Sequence, residues 1–154
     1  MPANVQIYTD GAARGNPGPG GYGVVLLSGQ HRKELSEGYK KTTNNRMELL
    51  AAIVGLEALK VEGCNVTIYS DSEYVANAVA KGWVFGWEQK RFKGKKNPDL
   101  WLRFLKVYRK HSVSFVWIKG HAGHPLNERC DQLATEAADG INLKEDTGYL
   151  NSLA

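Results

Sequence analysis

Apolar and polar side chains alternate through the first segment, VQIYTDG at residues 5–11, which predicts a strand with Val5, Ile7 and Thr9 on one face and Gln6, Tyr8 and Asp10 on the other. A Gly/Pro-rich turn follows at residues 15–21. GYGVVLLS and RKELSEGYK read as two more strands joined at Ser28, Gly29 and Gln30, an antiparallel meander. Thr42, Thr43, Asn44 and Asn45 offer N-cap chemistry for a helix from about 46 to 60, closed by Gly63. NVTIYSD is a fourth strand, and SEYVANAVAKG a helix capped by Ser72 and stopped at Gly82. An aromatic and basic stretch, GWVFGWEQKRFKGKK, leads into a helix opened by Asn97, Pro98 and Asp99. VSFVWIKG is a fifth strand, GHAGHP a loop, and Pro125 begins a helix running to about residue 139. The tail, LKEDTGYLNSLA, has no clear periodicity.

This order predicts an α/β fold: a mixed five-stranded sheet, three antiparallel strands and then two parallel ones, flanked by helices. Right-handed crossovers set the fourth and fifth strands parallel to the first and beside it. A site is expected at the carboxyl ends of those strands.

Composition narrows the class. The 154 residues suit one domain, 1–154, and 42% hydrophobic content argues against disorder. The longest apolar stretch, around Leu49 to Leu59, is interrupted by Gly55 and Glu57 and is too short to cross a bilayer. The first ten residues lack the basic and apolar regions of a secretory signal. Cys64 and Cys130 do not make a disulfide framework. The expectation is a soluble, cytoplasmic monomer with no membrane partner. Net charge is +4, a weak signal, but its distribution is uneven. Residues 81–110 hold ten basic side chains against Glu88 and Asp99, a balance of +8 that leaves the rest of the chain at −4. A basic surface suited to a polyanion and an acidic region elsewhere follow from that asymmetry, although a solvated helix face would look similar.

Four carboxylates stand out. Asp10 and Asp71 end the first and fourth strands, which the topology makes neighbours. Glu48 shares a helical stripe with Ala52, Leu56 and Leu59, so it is expected to be buried or at the sheet boundary. Asp131, beside Cys130 and a turn before Ala134, lies on the inner edge of the last helix. Singly, each has a plain alternative: a turn residue, a cap, a dipole partner, a surface acid. Together, like charges that close require protonation or a counter-cation, and hard oxygen donors suit Mg²⁺ or Mn²⁺. Paired metal ions of that kind suit in-line displacement at phosphorus.

The segments YTDGAARGNPGPGGYG, TTNNRMEL, YSDSEYV and KGHAGHPLNERCDQLA, in this order, closely resemble the bacterial type 1 ribonuclease H family over nearly the whole chain. The resemblance implies an endonuclease that cleaves the RNA strand of an RNA–DNA hybrid, leaving 3′-hydroxyl and 5′-phosphate ends. It implies Asp10, Glu48, Asp71 and Asp131 as metal ligands, His121 as a mobile aid to proton transfer and product release, and Glu128 near the second metal. It implies Asn16, Asn44 and Asn45 as readers of the hybrid's minor groove, where 2′-hydroxyls are displayed. Thr43 and Asn97 correspond to groups gripping a DNA-strand phosphate. Trp83, Trp87, Lys90 and Arg91 belong to a basic protrusion, about 81–97, that packs against the DNA strand. The protrusion is slightly shortened between Lys93 and Asn97, and Glu73 replaces an amide common in the family, so Glu73 stays outside the expected site. A non-catalytic hybrid-binding module would gain nothing from concentrated negative charge, and an integrase-like core would not need the groove-reading asparagines.

Other patterns are decoys. Gly18–Gly23 matches G-x-G-x-x-G but precedes a strand, so it is expected to be a tight turn near the substrate and not a dinucleotide site. His121, His124 and Cys130 lack a fourth ligand and plausible spacing for zinc. Trp101 and Trp117 are expected in the core. Of Trp83 and Trp87, one is expected to anchor the protrusion and the other to meet nucleic acid.

Overall fold

A computed structural model describes residues 3–120 and 123–153. The elements are β1 (Asn4–Ala13), β2 (Gly18–Ser28), β3 (His31–Thr42), α1 (Asn44–Glu57), β4 (Asn65–Ser70), α2 (Glu73–Ala80), α3 (Trp83–Gln89), α4 (Pro98–Tyr108), β5 (Ser112–Trp117), α5 (Pro125–Ala138) and α6 (Thr147–Ser152). The sheet order is β3-β2-β1-β4-β5, antiparallel through β1 and parallel from β1 to β5, as the pattern predicts.

Alternation decides which face is covered. Val5 and Ile7 of β1 and Val66 and Ile68 of β4 are buried against α1 and its neighbours, with Phe104 of α4 tilted against Phe115 of β5 at 6.1 Å. β2 is buried continuously from Gly20 to Leu26 because helices cover it on both sides. The second cover is α5, which lies almost directly on the backbone. A Cβ at Gly21 would fall 2.6 Å from the Ala134 carbonyl oxygen, and Gly23 and Gly38 lie as close to Cys130 and Ala137. These glycines are therefore a seat for α5. The expected substrate-side turn at Gly18–Gly23 is corrected: those residues are part of β2, and the turn sits earlier, around Gly15.

Two boundaries move. α1 begins at Asn44 and ends at Glu57, and Gly63 instead closes the following turn by donating its N–H to the Lys110 carbonyl at 2.8 Å. The tail is ordered by non-local bonds. Lys40 donates to the Lys144 carbonyl and Lys144 to the Gly38 carbonyl, at 2.8 and 2.9 Å, and Asp146 caps the short α6. Trp117 is the third correction. Trp101 is fully buried, but Trp117 is 47% exposed, because it is the last residue of a strand that has no neighbour on its outer edge.

Candidate active site at the carboxyl ends of β1 and β4

The parallel ladder between β1 and β4 ends at the pair Thr9 and Ser70, so Asp10 and Asp71 emerge side by side. Gly11 lets a third carboxylate join them. A Cβ there would collide with the α1 backbone at Met47 and Glu48, so its absence lets the first turn of α1 lie against β1. Carboxylate oxygens of Asp10, Glu48 and Asp71 lie within 4.8 Å of one another. Asp131 reaches the same open cleft from α5, whose wall also includes Asn44, Asn45, Glu73 and Tyr74. Glu128 is exposed one turn earlier on α5. His121 lies outside the described residues. A larger hollow of about 600 Å³, at the amino ends of the parallel strands, carries only amides, hydroxyls, glycine and aliphatic side chains.

Electrostatics sets this cluster apart. Asp10 is 5% exposed and accepts from the Gly11 N–H at 2.8 Å. Burial, and then the neighbouring Asp71 charge, push its carboxyl up to about 8. Burial followed by the charges of Asp10 and Asp71 also raises Glu48 well above the ordinary carboxylate range. The Glu48 Oε2 atom is buried with no hydrogen-bond partner among the described residues. An orphaned carboxylate oxygen beside two others costs free energy unless a cation joins it. A donor set made only of carboxylate oxygens fits a hard divalent cation.

Asp71 is supported from β5. The Trp117 indole N–H donates to the Asp71 carbonyl at 3.1 Å, and a Cβ on Gly120 would fall 2.8 Å from Asp71 Oδ2. Ser72 caps α2 by accepting from the Val75 N–H at 3.2 Å, which sets the chain's direction just past Asp71.

The cleft rim holds the expected asparagines. Asn44 Oδ1 accepts from the Ala13 N–H at 2.6 Å and Asn16 Oδ1 from the Asn44 N–H at 3.1 Å, so the carbonyl oxygen of each amide is committed to the protein. Asn45 follows on the first turn of α1, and all three are exposed. Thr43 caps α1 and accepts from the Arg46 N–H at 3.2 Å. Asn97 sits beyond, in the left-handed region at φ 61°, before α4. Its Nδ2 donates to the Tyr74 hydroxyl at 3.1 Å, which also accepts from Trp101 Nε1 at 2.8 Å.

The protrusion divides its tryptophans. Trp87 packs edge-on against Trp101 with centroids 5.8 Å apart, while Trp83 is 48% exposed with Lys81 Nζ 5.2 Å from its ring. Trp87 is thus the anchor, and Phe92, 5% exposed, is a second. Lys90 and Arg91 follow α3 and are exposed. Both acids of the +8 segment are paired, Glu88 with Arg109 at 2.6 Å and Asp99 with Arg46 at 2.7 Å, so neither neutralises a protrusion lysine.

Sequence reasoning did not select Arg46, Tyr74, Trp117 or Asp146, and it set Glu73 aside although Glu73 lines the cleft. An arginine in the first turn of an otherwise apolar helix was the one available signal. The others act through partners 23 to 100 residues away.

Carboxylates at the ends of adjacent parallel strands, on a sheet of this order, define a nuclease-type site. The chain belongs to the RNase H family, whose profile matches residues 2–139. It is similar to Ribonuclease H of Syntrophus aciditrophicus (strain SB), 59% identical over 150 residues, covering 94% of this chain and 86% of that protein. LC9-RNase H1, a type 1 RNase H with the type 2 active-site motif, superimposes with a TM-score of 0.82 at 31% identity, over 91% of this chain and 74% of the other. LC11-RNase H1, solved in complex with an RNA/DNA hybrid, matches with a TM-score of 0.67 at 31% identity, over 88% and 96%. The protein is accordingly an endonuclease, a hydrolase of the ribonuclease H type. Among the described residues no helix is long and apolar enough to cross a membrane.

Proposed function

We propose that the protein, working as one monomeric domain in the cytoplasm, hydrolyses the RNA strand of RNA–DNA hybrids to 3′-hydroxyl and 5′-phosphate ends. The observation that carries this reading is the convergence of Asp10, Glu48 and Asp71 within 4.8 Å in a cleft rimmed by exposed asparagines. The hybrid bound by LC11-RNase H1 supports the choice of substrate.

Asp10, Glu48, Asp71 and Asp131 would hold magnesium, with manganese as a substitute, and two such ions would supply an activated water and charge relief at the leaving oxygen. The chain's own residues do the rest. Asn16, Asn44 and Asn45 present amides to the minor groove, where an RNA strand offers 2′-hydroxyls and a DNA strand does not. Thr43 and Asn97 grip a DNA-strand phosphate. Trp83, Lys90 and Arg91 hold the DNA backbone and set the register, on the footing that Trp87 gives the protrusion. Glu128 would stand near the second ion, and His121 would move a proton and assist product release.

The test compares a labelled hybrid with the matching DNA and RNA duplexes, each in Mg²⁺ and in chelator. Cleavage confined to the RNA strand of the hybrid, and only with Mg²⁺, is expected. Cleavage of the DNA duplex, or undiminished cleavage in chelator, would contradict it.

A further inference from the structure

We propose that Arg46 is a positioning residue that holds the two phosphate-gripping groups, Thr43 and Asn97, at a fixed separation, and that Asp146 from the C-terminal segment locks Arg46 in place. The inference rests on the hybrid-binding role given above to Thr43 and Asn97.

Arg46 is 2% exposed. Its backbone N–H donates to Thr43 Oγ1 at 3.2 Å, and its Nη1 donates to Asn97 Oδ1 at 3.2 Å. One residue therefore bonds both grips, which lie on different helices 54 residues apart. Nη1 and Nη2 also donate to Asp99 at 2.9 and 2.7 Å, and Nε and Nη2 to Asp146 at 2.8 and 2.9 Å. A guanidinium has five N–H donors, and all five are engaged. None is left for a nucleic-acid phosphate, and one cation between two carboxylates is no net attraction for an anion. Whatever Arg46 does for binding must pass through the residues it holds.

Asn97 is defined from both ends. Arg46 takes its carbonyl oxygen and Tyr74 its amide nitrogen, which fixes the flip of the amide and the direction of the remaining N–H. Asp146 completes the clamp: it is 7% exposed, and its Oδ2 also accepts from the Thr42 hydroxyl at 2.6 Å. Thr42 adjoins Thr43, so Asp146 braces the grip from the strand side as well. A lysine at 46 keeps the charge but cannot present the planar fork to two carboxylates and an amide together.

The experiment measures dissociation of a fluorescent hybrid from the full chain in chelator, over a range of KCl. Variants are Thr43→Ala, Asn97→Ala, Arg46→Lys and Asp146→Asn, with Arg46→Lys also combined with each alanine. Cys64→Ala, a buried change at the far end of β4, is the control for lost stability. Arg46→Lys and Asp146→Asn should each weaken binding about tenfold, as loss of a charge-assisted contact does. The salt slope should stay near the parent's, because Thr43 and Asn97 are uncharged and neutralise no phosphate. Arg46→Lys should add little on top of Thr43→Ala or Asn97→Ala, since all disable one device. If Arg46→Lys does not fold, Asp146→Asn carries the test through the same readouts. Additive losses, or an equal loss in Cys64→Ala, would overturn the inference while leaving the hybrid-binding reading intact. Unchanged binding in Thr43→Ala and Asn97→Ala would overturn both.

Discussion

At the scale of single residues, the active-site carboxylates oppose the fold in the absence of cations. Asp10 and Glu48 have raised pKa values in the folded chain, so whatever stability their neutral forms supply is complete below their ordinary pKa of about 4. It is lost as the pH climbs, for Asp10 through about 8. Asp10→Asn or Glu48→Gln should therefore melt higher than the parent in chelator at pH 8, by about 3 °C or more, because one kcal/mol moves a chain of this size by about that much. The gain should shrink on adding Mg²⁺ to both proteins. Calorimetry at two pH values checks this, and a lower melting temperature in chelator would count against the burial of these groups as charged neighbours. Gly120 supplies a different kind of test. Gly120→Ala puts a methyl group 2.8 Å from Asp71 Oδ2, so it should weaken Mg²⁺ binding, read by titration calorimetry, with little effect on hybrid affinity in chelator. The carboxylates themselves were legible because each sat at a position with a rule: two strand ends, one apolar stripe, one inner helix edge. Trp117 was misread because a tryptophan in a strand defaults to the core, and only the sheet order reveals that its strand is the outer edge.

At the scale of elements, the strand order, the crossovers and the N-caps at Thr43 and Ser72 followed from local pattern, since turn and capping chemistry lies within a few residues of what it controls. The tail did not. Asp146 is worth little to its own short helix and much to Arg46, 100 residues earlier, and no periodicity records such a pairing. Burial works to raise the Asp146 and Asp99 carboxyls, but the bonds from Arg46 outweigh it and hold both below their ordinary value. Their contribution to stability is thus present at neutral pH and fades as the pH falls below about 4. Asp146→Asn should cost about 2–4 kcal/mol at pH 7 by leaving Arg46 partly unpaired, and about 1 kcal/mol less at pH 3. Urea unfolding at both values measures the difference, and an equal cost at both would contradict the pairing. The glycine seat of α5 was equally hidden, because Gly21 and Gly23 look like turn residues until α5 is placed over them.

At the scale of the molecule, the modest charge of +4 resolves into a basic protrusion and an acidic cleft, to which the proposed function gives separate work. Reversing Lys90, Arg91, Lys95 and Lys96 together should weaken hybrid binding and flatten its dependence on salt, since phosphate contacts release counterions. A salt slope equal to the parent's would remove the protrusion from the contact surface. Glu73, an acid on the cleft wall, works in the opposite sense, and Glu73→Gln should tighten binding a few-fold, about 0.5–1 kcal/mol. The central claim is that grip and chemistry are carried by different side chains, and Asp71→Asn tests it most directly when hybrid affinity and single-turnover cleavage in Mg²⁺ are measured on the same preparation. The division predicts affinity equal to the parent's or tighter, with the cleavage rate down by about 10³-fold or more. Cleavage within tenfold of the parent, or a loss of rate explained by lost binding, would contradict it.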